Sequence, residues 1–240
     1  MTGTIINSTV ILAAGFLGCF IKKAIPERIE KPIMDMIGLS VFLIALLGFF
    51  STALTIENGK IKSNGEIMML VCLALGVAIG EMLCIEDRIN AFGRKIEEKA
   101  GVDGFAKGFV TASLLFCVGA MAIFGSLKDG ISGDSSVLIV KSMIDAITAF
   151  ILSTSLGIGV AFSGVSVFLY QGAISLLATY IQPFVTDIMM MNICTVGYAI
   201  VLVIGTNMMG ITKIKVADFL PAILLAPVIY NIIAFVKNFI

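Results

Sequence analysis

The chain contains no histidine and no tryptophan, and only 13% of its 240 residues are charged. Histidine is the commonest metal ligand in proteins and the usual general base near neutral pH, so its absence narrows the chemistry available. A soluble domain typically carries about 25% charged residues, which argues against that class here. The 16 basic and 16 acidic residues cancel, so no excess of positive charge points to nucleic-acid binding.

Motifs that carry catalysis are also missing from the sequence. There is no phosphate-cradling GxxxxGK[ST] loop, no nucleophile elbow and no zinc signature. The five cysteines show no CxxC spacing and mostly fall inside apolar runs, as expected of small buried hydrophobes. We therefore expect neither an enzyme nor an ATP-driven pump, no cofactor, and no metal that the sequence can identify.

Apolar residues dominate what is present. They make up 59% of the chain, and the mean hydropathy is +1.08. Several apolar runs exceed the roughly 18 residues that mark a bilayer span. The sequence predicts an all-α, polytopic membrane protein with about eight spans, folded as a single transmembrane domain over residues 1–240.

The predicted spans are separated by short polar segments. They cover residues 3–21, 33–54, 66–85, 105–126, 137–156, 158–181, 188–209 and 217–236. The segment EDRINAFGRKIEEKAGVDG after the third span predicts an amphipathic surface helix. The acidic, glycine-rich KDGISGD, residues 128–134, is typical of a solvated turn, with cation binding as the alternative. The break at Ser155 to Gly159 carries no charge and is the least defined boundary.

A constant offset of 157 residues aligns several unusual positions and suggests an internal repeat. The offset pairs Gly15 with Gly172, Pro26 with Pro183, Met34 with Met191, Asp35 with Asn192, and Gly48 with Gly205. An odd number of spans separates the copies, so they would face opposite ways across the bilayer. Inverted repeats of this kind underlie many secondary transporters. The prediction is a repeat of spans 1–3 by spans 6–8, over residues 3–85 and 160–240, around central spans at 105–156.

Two charges interrupt the fifth span in the stretch KSMIDAITAF. Lys141 and Asp145 are four residues apart, so on a helix they stack on one face. Charges inside a bilayer are costly and face protein or water rather than lipid. The pair is open to two interpretations: a structural ion pair with Lys141 extended towards the surface, or a cation path lined by Asp145 with Lys141 as its counter-charge.

Other polar residues inside predicted spans could join such a path. Asn7, Gln171 and Asn207 offer amide oxygens that could replace the water around a small cation, although such amides also bridge helices. Glu81 follows the small-residue pair Gly76 and Gly80 and would meet a closely packed neighbour, or cap the end of its span.

Four stretches support a family resemblance. They are GTIINSTVILAAGFLGCFI, ASLLFCVGAMAIFGSLKDGISGD, LGIGVAFS followed by YQGAISLLA, and IGTNMMGITKIKVADFLPAILLAP. In these stretches, which span nearly the whole chain, the sequence resembles the YdfK/YqgA-type bacterial membrane proteins, a family grouped only as a domain of unknown function. The resemblance implies a multi-pass protein of the bacterial inner membrane, loosely a transporter, and supplies no functional residues.

The leading hypothesis is a secondary transporter or channel for a small solute, a cation above all. Its path would lie near spans 4 and 5 and the repeat interface, with Asp145 facing the cation. The alternative is a non-transporting scaffold or sensor that binds a partner through the cytoplasmic segment 86–107. The expected partners are a small ion or solute and membrane lipid, without nucleic acid, and the small-residue faces permit a homodimer.

Overall fold

A computed structural model describes residues 1–22, 27–57, 59–63, 65–100, 104–118, 120–184 and 186–237. Within those ranges the chain forms helices almost throughout and one short β-hairpin. The α-helices are α1 Thr2–Lys22, α2 Glu27–Ala53, α3 Glu66–Met82, α4 Ile85–Ala100, α5 Phe105–Cys117, α6 Ala120–Ser132, α7 Ser136–Leu156, α8 Gly159–Leu176, α9 Ala178–Ile181, α10 Asp187–Met208 and α11 Leu220–Lys237. The hairpin pairs β1 Leu54–Glu57 with β2 Lys60–Ser63, and 3-10 turns cover Gln182–Phe184 and Val216–Phe219.

The predicted class, an all-α polytopic membrane protein, is confirmed. Five helices of the described chain are long and apolar enough to cross a membrane, and the number rises to seven if each of two bent helix pairs forms one span. The predicted eighth span falls in α11, where a shorter apolar helix covers Val216–Ile232. A count of eight stays a prediction.

The fourth predicted span differs from the expectation of one helix over residues 105–126. The chain breaks after Cys117, where Val118 takes an extended conformation. A second helix, α6, then continues at 64° to α5 as far as Ser132. The expected turn at residues 128–134 is therefore largely helical, and that prediction was wrong for its first five residues.

Three other polar connections also contain regular structure. The segment 85–100 forms the predicted amphipathic helix, α4. The charged turn expected before span 2 is partly absorbed into α2, which begins at Glu27. The turn after span 2 is the β-hairpin, a feature that the apolar pattern gave no sign of. Pro26, a member of one repeat pair, and residues 101–103 lie outside the described ranges.

The chain divides into two compact units. Unit 1 comprises Met1–Ile37 and Ile89–Phe184, and unit 2 comprises Gly38–Arg88 and Val185–Ile240. The boundaries fall inside α2 and α4, so the units differ from the predicted repeat copies. Each unit is described by itself below.

In unit 1, α1 is the central helix, and glycines allow its neighbours to approach closely. A methyl group at Gly3 would lie 2.7 Å from Cβ of Leu138, and one at Gly18 would overlap Phe150. Because the contacts move towards the C-terminus of both helices together, α1 and α7 run parallel. A methyl group at Gly15 would lie 2.8 Å from Cβ of Ala161 on α8. Small residues at such contacts are typical of membrane helix packing.

Helix α8 runs antiparallel to α1. Ser8 donates to the carbonyl of Gly164 over 2.9 Å, while Thr4 lies opposite Ser175 near the other end of α8. Because α7 is parallel to α1, the chain must reverse between α7 and α8. Gly157 makes that reversal with φ 78°, a left-handed value that favours glycine. The uncharged break at Ser155 to Gly159 is therefore a true reversal of chain direction.

In unit 2, α2 and α10 pack antiparallel, as do α3 and α11. A methyl group at Gly205 would lie 2.8 Å from Phe42, and one at Gly38 would lie 2.9 Å from Met208. On the other pair, a methyl group at Gly76 would lie 2.6 Å from the nitrogen of Ala222. These close contacts leave large apolar side chains on the outer faces of the helices, as in a protein surrounded by lipid.

Candidate ion-binding site

The polar face of α7 points into unit 1, and its apolar face points outward. Lys141 and Asp145 are each only 6% exposed, and their side chains form an ion pair one turn apart. The outward positions are large and apolar: Val140, Met143, Ile144, Ile147 and Ile151. In a soluble protein the polar face of a helix would point outward. The opposite arrangement is expected of a helix that has lipid on one side and protein on the other. The two charges are therefore inside the helical packing of unit 1.

Asn7 brings α1 to the same point. Its Nδ2 donates to Asp145 Oδ2 over 3.0 Å, the same oxygen that contacts Lys141 Nζ. Asn7 is fully buried. An amide N–H and an ammonium group therefore meet at one oxygen of the Asp145 carboxylate.

Gln171 adds a third helix, α8, to the cluster. Its Oε1 accepts from Asn7 Nδ2 over 3.4 Å. Two polar atoms of these amides, Asn7 Oδ1 and Gln171 Nε2, have no hydrogen-bond partner among the described residues. Buried polar atoms in membrane helices nearly always find partners, so this acceptor and this donor are available to a bound solute or to water. We call Asn7, Lys141, Asp145 and Gln171 the polar cluster.

The end of α5 also reaches the polar cluster. Cys117, the last residue of α5, lies near Lys141 and Asp145. Helix α5 runs parallel to α8, because Phe105 lies beside Gly159 and Ser113 Oγ donates to Ser166 Oγ over 3.0 Å. The backbone break that follows Cys117 therefore lies level with the polar cluster along these helices.

Further buried polar residues continue from the polar cluster along α1 and α8. Thr4 and Ser175 lie one helical turn from Asn7 and Gln171, and their hydroxyls are 3.5 Å apart. Ser175 donates to the carbonyl of Ser126 on α6 over 2.8 Å. The result is a continuous series of buried polar groups that joins α7, α1, α8 and α6.

Asp129 lies one turn beyond Ser126 on α6. Its side chain is fully buried, and the nitrogen of Met1 lies 3.1 Å from its Oδ2. Asp134, in contrast, is accessible to solvent and pairs with Lys128 over 2.6 Å. The expectation of a solvated turn was therefore wrong for Asp129, because α6 continues through residue 132 and turns Asp129 inward.

The other two predicted site residues belong to unit 2, where their polar atoms have local partners. Asn207 Nδ2 donates to the carbonyl of Ile214 over 2.7 Å, and its Oδ1 accepts from the backbone nitrogen of Ile214 and from Thr212. Glu81 accepts from Lys215 at 3.0 and 3.2 Å. Asn207 thus fastens the loop after α10, and Glu81 forms an exposed ion pair. A role for either residue in ion binding stays a prediction.

The structure brings together four of the six residues that the sequence predicted. The sequence arguments missed Thr4, Ser175, Ser126 and Cys117, and they placed Asp129 in a turn. Helical periodicity could have found two of them. Thr4 is three residues before Asn7 and Ser175 is four after Gln171, the spacings that share a helix face. Asp129 gave no such signal, because its inward position depends on where α6 ends. Cys117 matters only because the helix breaks there.

Comparison with known proteins places the whole chain in one family. Residues 2–231 match the family described as "Protein of unknown function (DUF554)". The chain is 30% identical over 233 residues to the "Uncharacterized membrane protein YdfK" of Bacillus subtilis (strain 168), with 97% of each chain covered. It is 31% identical over 231 residues to the "Uncharacterized protein YqgA" of Escherichia coli (strain K12), covering 93% of this chain and 94% of the relative.

No solved structure matches the chain. The match to the family extends from the first turn of α1 into α11 and includes every residue of the polar cluster. The resemblance seen in the sequence is thereby confirmed, and the chain belongs to the DUF554 family of proteins of unknown function.

Proposed function

We propose that this protein is a secondary transporter or channel for a small cation in the bacterial inner membrane. The observation that carries the proposal is the polar cluster, a lysine–aspartate pair with two amides buried between spanning helices of unit 1. An intramembrane ionisable residue is by default a functional candidate, because its cost must be offset by a use or by a partner.

The charge pair alone would also suit a structural role, but the amides add something that a structural pair does not need. Asn7 Oδ1 and Gln171 Nε2 have no partner among the described residues. In a purely structural network each buried polar atom would be satisfied, since an unsatisfied group costs about 1–3 kcal/mol. We assign Asp145 as the cation-facing carboxylate, Lys141 as its counter-charge, and Asn7 and Gln171 as neutral ligands.

The discontinuous helix formed by α5 and α6 supports the same function. Transporter binding sites are typically built where a spanning helix is interrupted, because the interruption frees backbone groups at mid-membrane depth. Here the interruption follows Cys117, which lies near both charges of the polar cluster. Irregular backbone is tolerated in a membrane only inside protein or beside water, so the break favours a lined path near α5, α6 and α7.

The helix pairing is also in line with inverted repeats. Within unit 1, α1 packs antiparallel on α8, its counterpart under the 157-residue offset. Within unit 2, α2 packs antiparallel on α10 and α3 on α11, which are again counterparts. Antiparallel contact between equivalent helices is what an inverted repeat would produce. The repeat remains part of the proposal.

Uptake by proteoliposomes tests the proposal. We expect the wild-type protein to accumulate at least one of Na⁺, K⁺, Mg²⁺ or Mn²⁺, and Asp145→Asn to abolish that uptake. Asp134→Asn is the matched control, because Asp134 is accessible and lies outside the polar cluster. The double variant Lys141→Met with Asp145→Leu removes both charges and guards against misfolding caused by one uncompensated charge. Uptake unchanged in Asp145→Asn would remove Asp145 from the mechanism.

The native cysteines test whether water reaches the path. Cys84 is exposed and Cys72 is fully buried, so they serve as positive and negative controls for a water-soluble thiol reagent. In variants that retain one cysteine each, we expect Cys117 to react, more slowly than Cys84 and far faster than Cys72. Protection of Cys117 equal to that of Cys72 would count against an aqueous path and favour a scaffold.

A further inference from the structure

We propose that Asp129 holds a second cation, between the polar cluster and the solvent-accessible end of α6, and that the hydroxyls of Thr4 and Ser175 pass the ion between the two positions. This inference rests on the proposed function and extends its path from one buried carboxylate to another. The ligand is a small hard cation, because the groups around Asp129 offer carboxylate, carbonyl and hydroxyl oxygens.

The carboxylate of Asp129 is buried without donors to match. Its side chain is fully buried, and within the described residues neither of its oxygens accepts a hydrogen bond. The nitrogen of Met1 lies 3.1 Å from Oδ2. A buried carboxylate is unfavourable unless it is paired and hydrogen-bonded, so its oxygens normally collect several donors. Oδ1 of Asp129 is therefore available to a cation.

Two helices end beside Asp129, and their electrostatics favour a positive ligand. Asp129 lies in the last turn of α6, which ends at Ser132, and Ser175 is the penultimate residue of α8. The two ends approach closely, because a methyl group at Gly130 would lie 2.2 Å from the carbonyl oxygen of Ser175. The C-terminal end of a helix carries a partial negative charge from its last carbonyl groups. Two such ends and a carboxylate favour a cation over an anion.

Helix α1 sets the distance between the two positions. The nitrogen of Met1 contacts Asp129, and the amide of Asn7 contacts Asp145. Ile5 donates from its backbone nitrogen to the carbonyl of Met1, so the helical turn includes Met1. Six residues of α-helix rise about 9 Å. An ion needs one intermediate contact to cover that distance.

Thr4 and Ser175 supply the intermediate contact. Thr4 is fully buried, Ser175 is 5% exposed, and their hydroxyl oxygens are 3.5 Å apart. Ser175 donates to the carbonyl of Ser126 over 2.8 Å, which commits its hydrogen and leaves its lone pairs as acceptors. Both hydroxyls can therefore present oxygen to a cation that moves along α1.

The second position lies on the side of the polar cluster from which solvent is reached. The side chain of Met1 is 35% exposed, and that of Asp134, five residues beyond Asp129, is 42% exposed. Lys141 and Asp145, in contrast, are each 6% exposed. Ions leave a path readily when they are held at more than one position, because neighbouring ions repel each other. An ion at Asp129 would therefore ease release from Asp145.

Counting bound ions on the purified full chain tests the proposal. Equilibrium dialysis against radioactive Na⁺, Rb⁺ and Mn²⁺ gives the number of ions bound at saturation. We expect the wild type to bind two ions of at least one of these cations per chain. A purely structural role for Asp129, as a fastening for Met1, predicts one.

Removing each carboxylate by itself locates the two ions. Asp129→Asn and Asp145→Asn should each bind one ion, and the double variant none. Asp134→Asn is the matched control, because it removes an exposed carboxylate close to Asp129 and should still bind two. If Asp129→Asn does not show a cooperative unfolding transition, the counts for the wild type and for Asp145→Asn decide the question.

The connecting hydroxyls can be removed while both carboxylates stay. The double variant Thr4→Val with Ser175→Ala should still bind two ions but take them up at least about tenfold more slowly, because the intermediate contact is lost. Ser163→Ala is the matched control, since Ser163 is a buried serine of α8 whose hydroxyl donates to the carbonyl of Val160. Uptake at the wild-type rate by the double variant would contradict passage between the two positions.

The outcomes separate the inference from the function on which it rests. A wild type that binds one ion, or an Asp129→Asn variant that binds as many ions as the wild type, would overturn the second position and leave the transporter intact. A wild-type protein that neither binds nor accumulates any tested cation would overturn both.

Discussion

Asn7 Nδ2 on α1 donates to Asp145 Oδ2 on α7 over 3.0 Å, and so ties together two parallel helices through the oxygen that also contacts Lys141. The bond joins the first span of the chain to the fifth across 138 residues of sequence. A hydrogen bond to a buried charge is among the stronger kinds in a protein. If one partner is removed, the other stays buried without a hydrogen bond and its desolvation is no longer compensated.

Replacing Asn7 by alanine should therefore destabilise the protein by about 1–3 kcal/mol, since it removes a donor from Asp145 and from Gln171 at once. Asn231→Ala is the matched control, because Asn231 is an exposed asparagine in α11 that donates to the carbonyl of Pro227 one turn before it. Unfolding in detergent, followed by circular dichroism, measures both. Equal stability of the two variants would show that the Asn7 bond contributes little.

Asp134 gives a prediction about pH. The hydrogen bond from Lys128, with others from Ser136, holds the pKa of Asp134 well below its usual range. A group whose pKa is lowered on folding adds stability above its unfolded pKa, here about 4, and loses it as the pH falls towards the folded value. The melting temperature of the wild type should therefore fall below pH 4 by more than that of Asp134→Asn.

The Asp134 pair is accessible to solvent, so added salt should narrow this difference between the wild type and Asp134→Asn. Melting curves between pH 6 and pH 3, at low and high salt, check both statements. If the melting temperatures of the wild type and Asp134→Asn fell equally with pH, the pH dependence could not be assigned to Asp134.

Asn207 offers a test of its own role. If it fastens the loop after α10 through Ile214 and Thr212, Asn207→Ala should make that loop more sensitive to protease while cation uptake is unchanged. If it binds the cation, as the sequence suggested, uptake should fall while proteolysis is unchanged. Limited proteolysis of the reconstituted protein, together with uptake, distinguishes the two.

The sequence predicts best those features of the fold that depend only on residues close together in the chain. Hydropathy located α1, α7, α8 and α10 to within a few residues, because a run of apolar residues long enough to cross a bilayer has few alternatives. The same rule failed at residues 105–126. That stretch is apolar almost throughout, so hydropathy alone did not mark the break after Cys117, where Val118 takes an extended conformation.

In the candidate site, too, some residues could be predicted from the local sequence and others depend on how the helices pack. Lys141 and Asp145 were visible because charges stand out in an apolar run, and their spacing of four placed them on one face. That Asn7 and Gln171 join them could only be guessed, since it depends on how α1, α7 and α8 pack. In the sequence, Asn207 and Glu81 were polar residues inside predicted spans, just as Asn7 and Gln171 were. In the structure, their polar atoms have partners in unit 2.

The repeat pair Gly15 and Gly172 gives a last prediction, because the two positions differ in their surroundings. A methyl group at Gly15 would lie 2.9 Å from the nitrogen of Ala161, which is backbone and cannot move aside. At Gly172 the only atom within 4 Å among the described residues is Cε of Met1, at 3.5 Å, the flexible end of a side chain.

Gly15→Ala should therefore cost about 1–3 kcal/mol through overpacking, whereas Gly172→Ala should be nearly neutral. Both substitutions add the same methyl group within a helix, so intrinsic helix propensity cancels from the comparison. Unfolding free energies of the two variants in the same detergent provide the test. Equal losses would mean that α1 and α8 do not approach as closely at Gly15 as the structure has them, and the antiparallel contact that supports an inverted repeat would lose its tightest point.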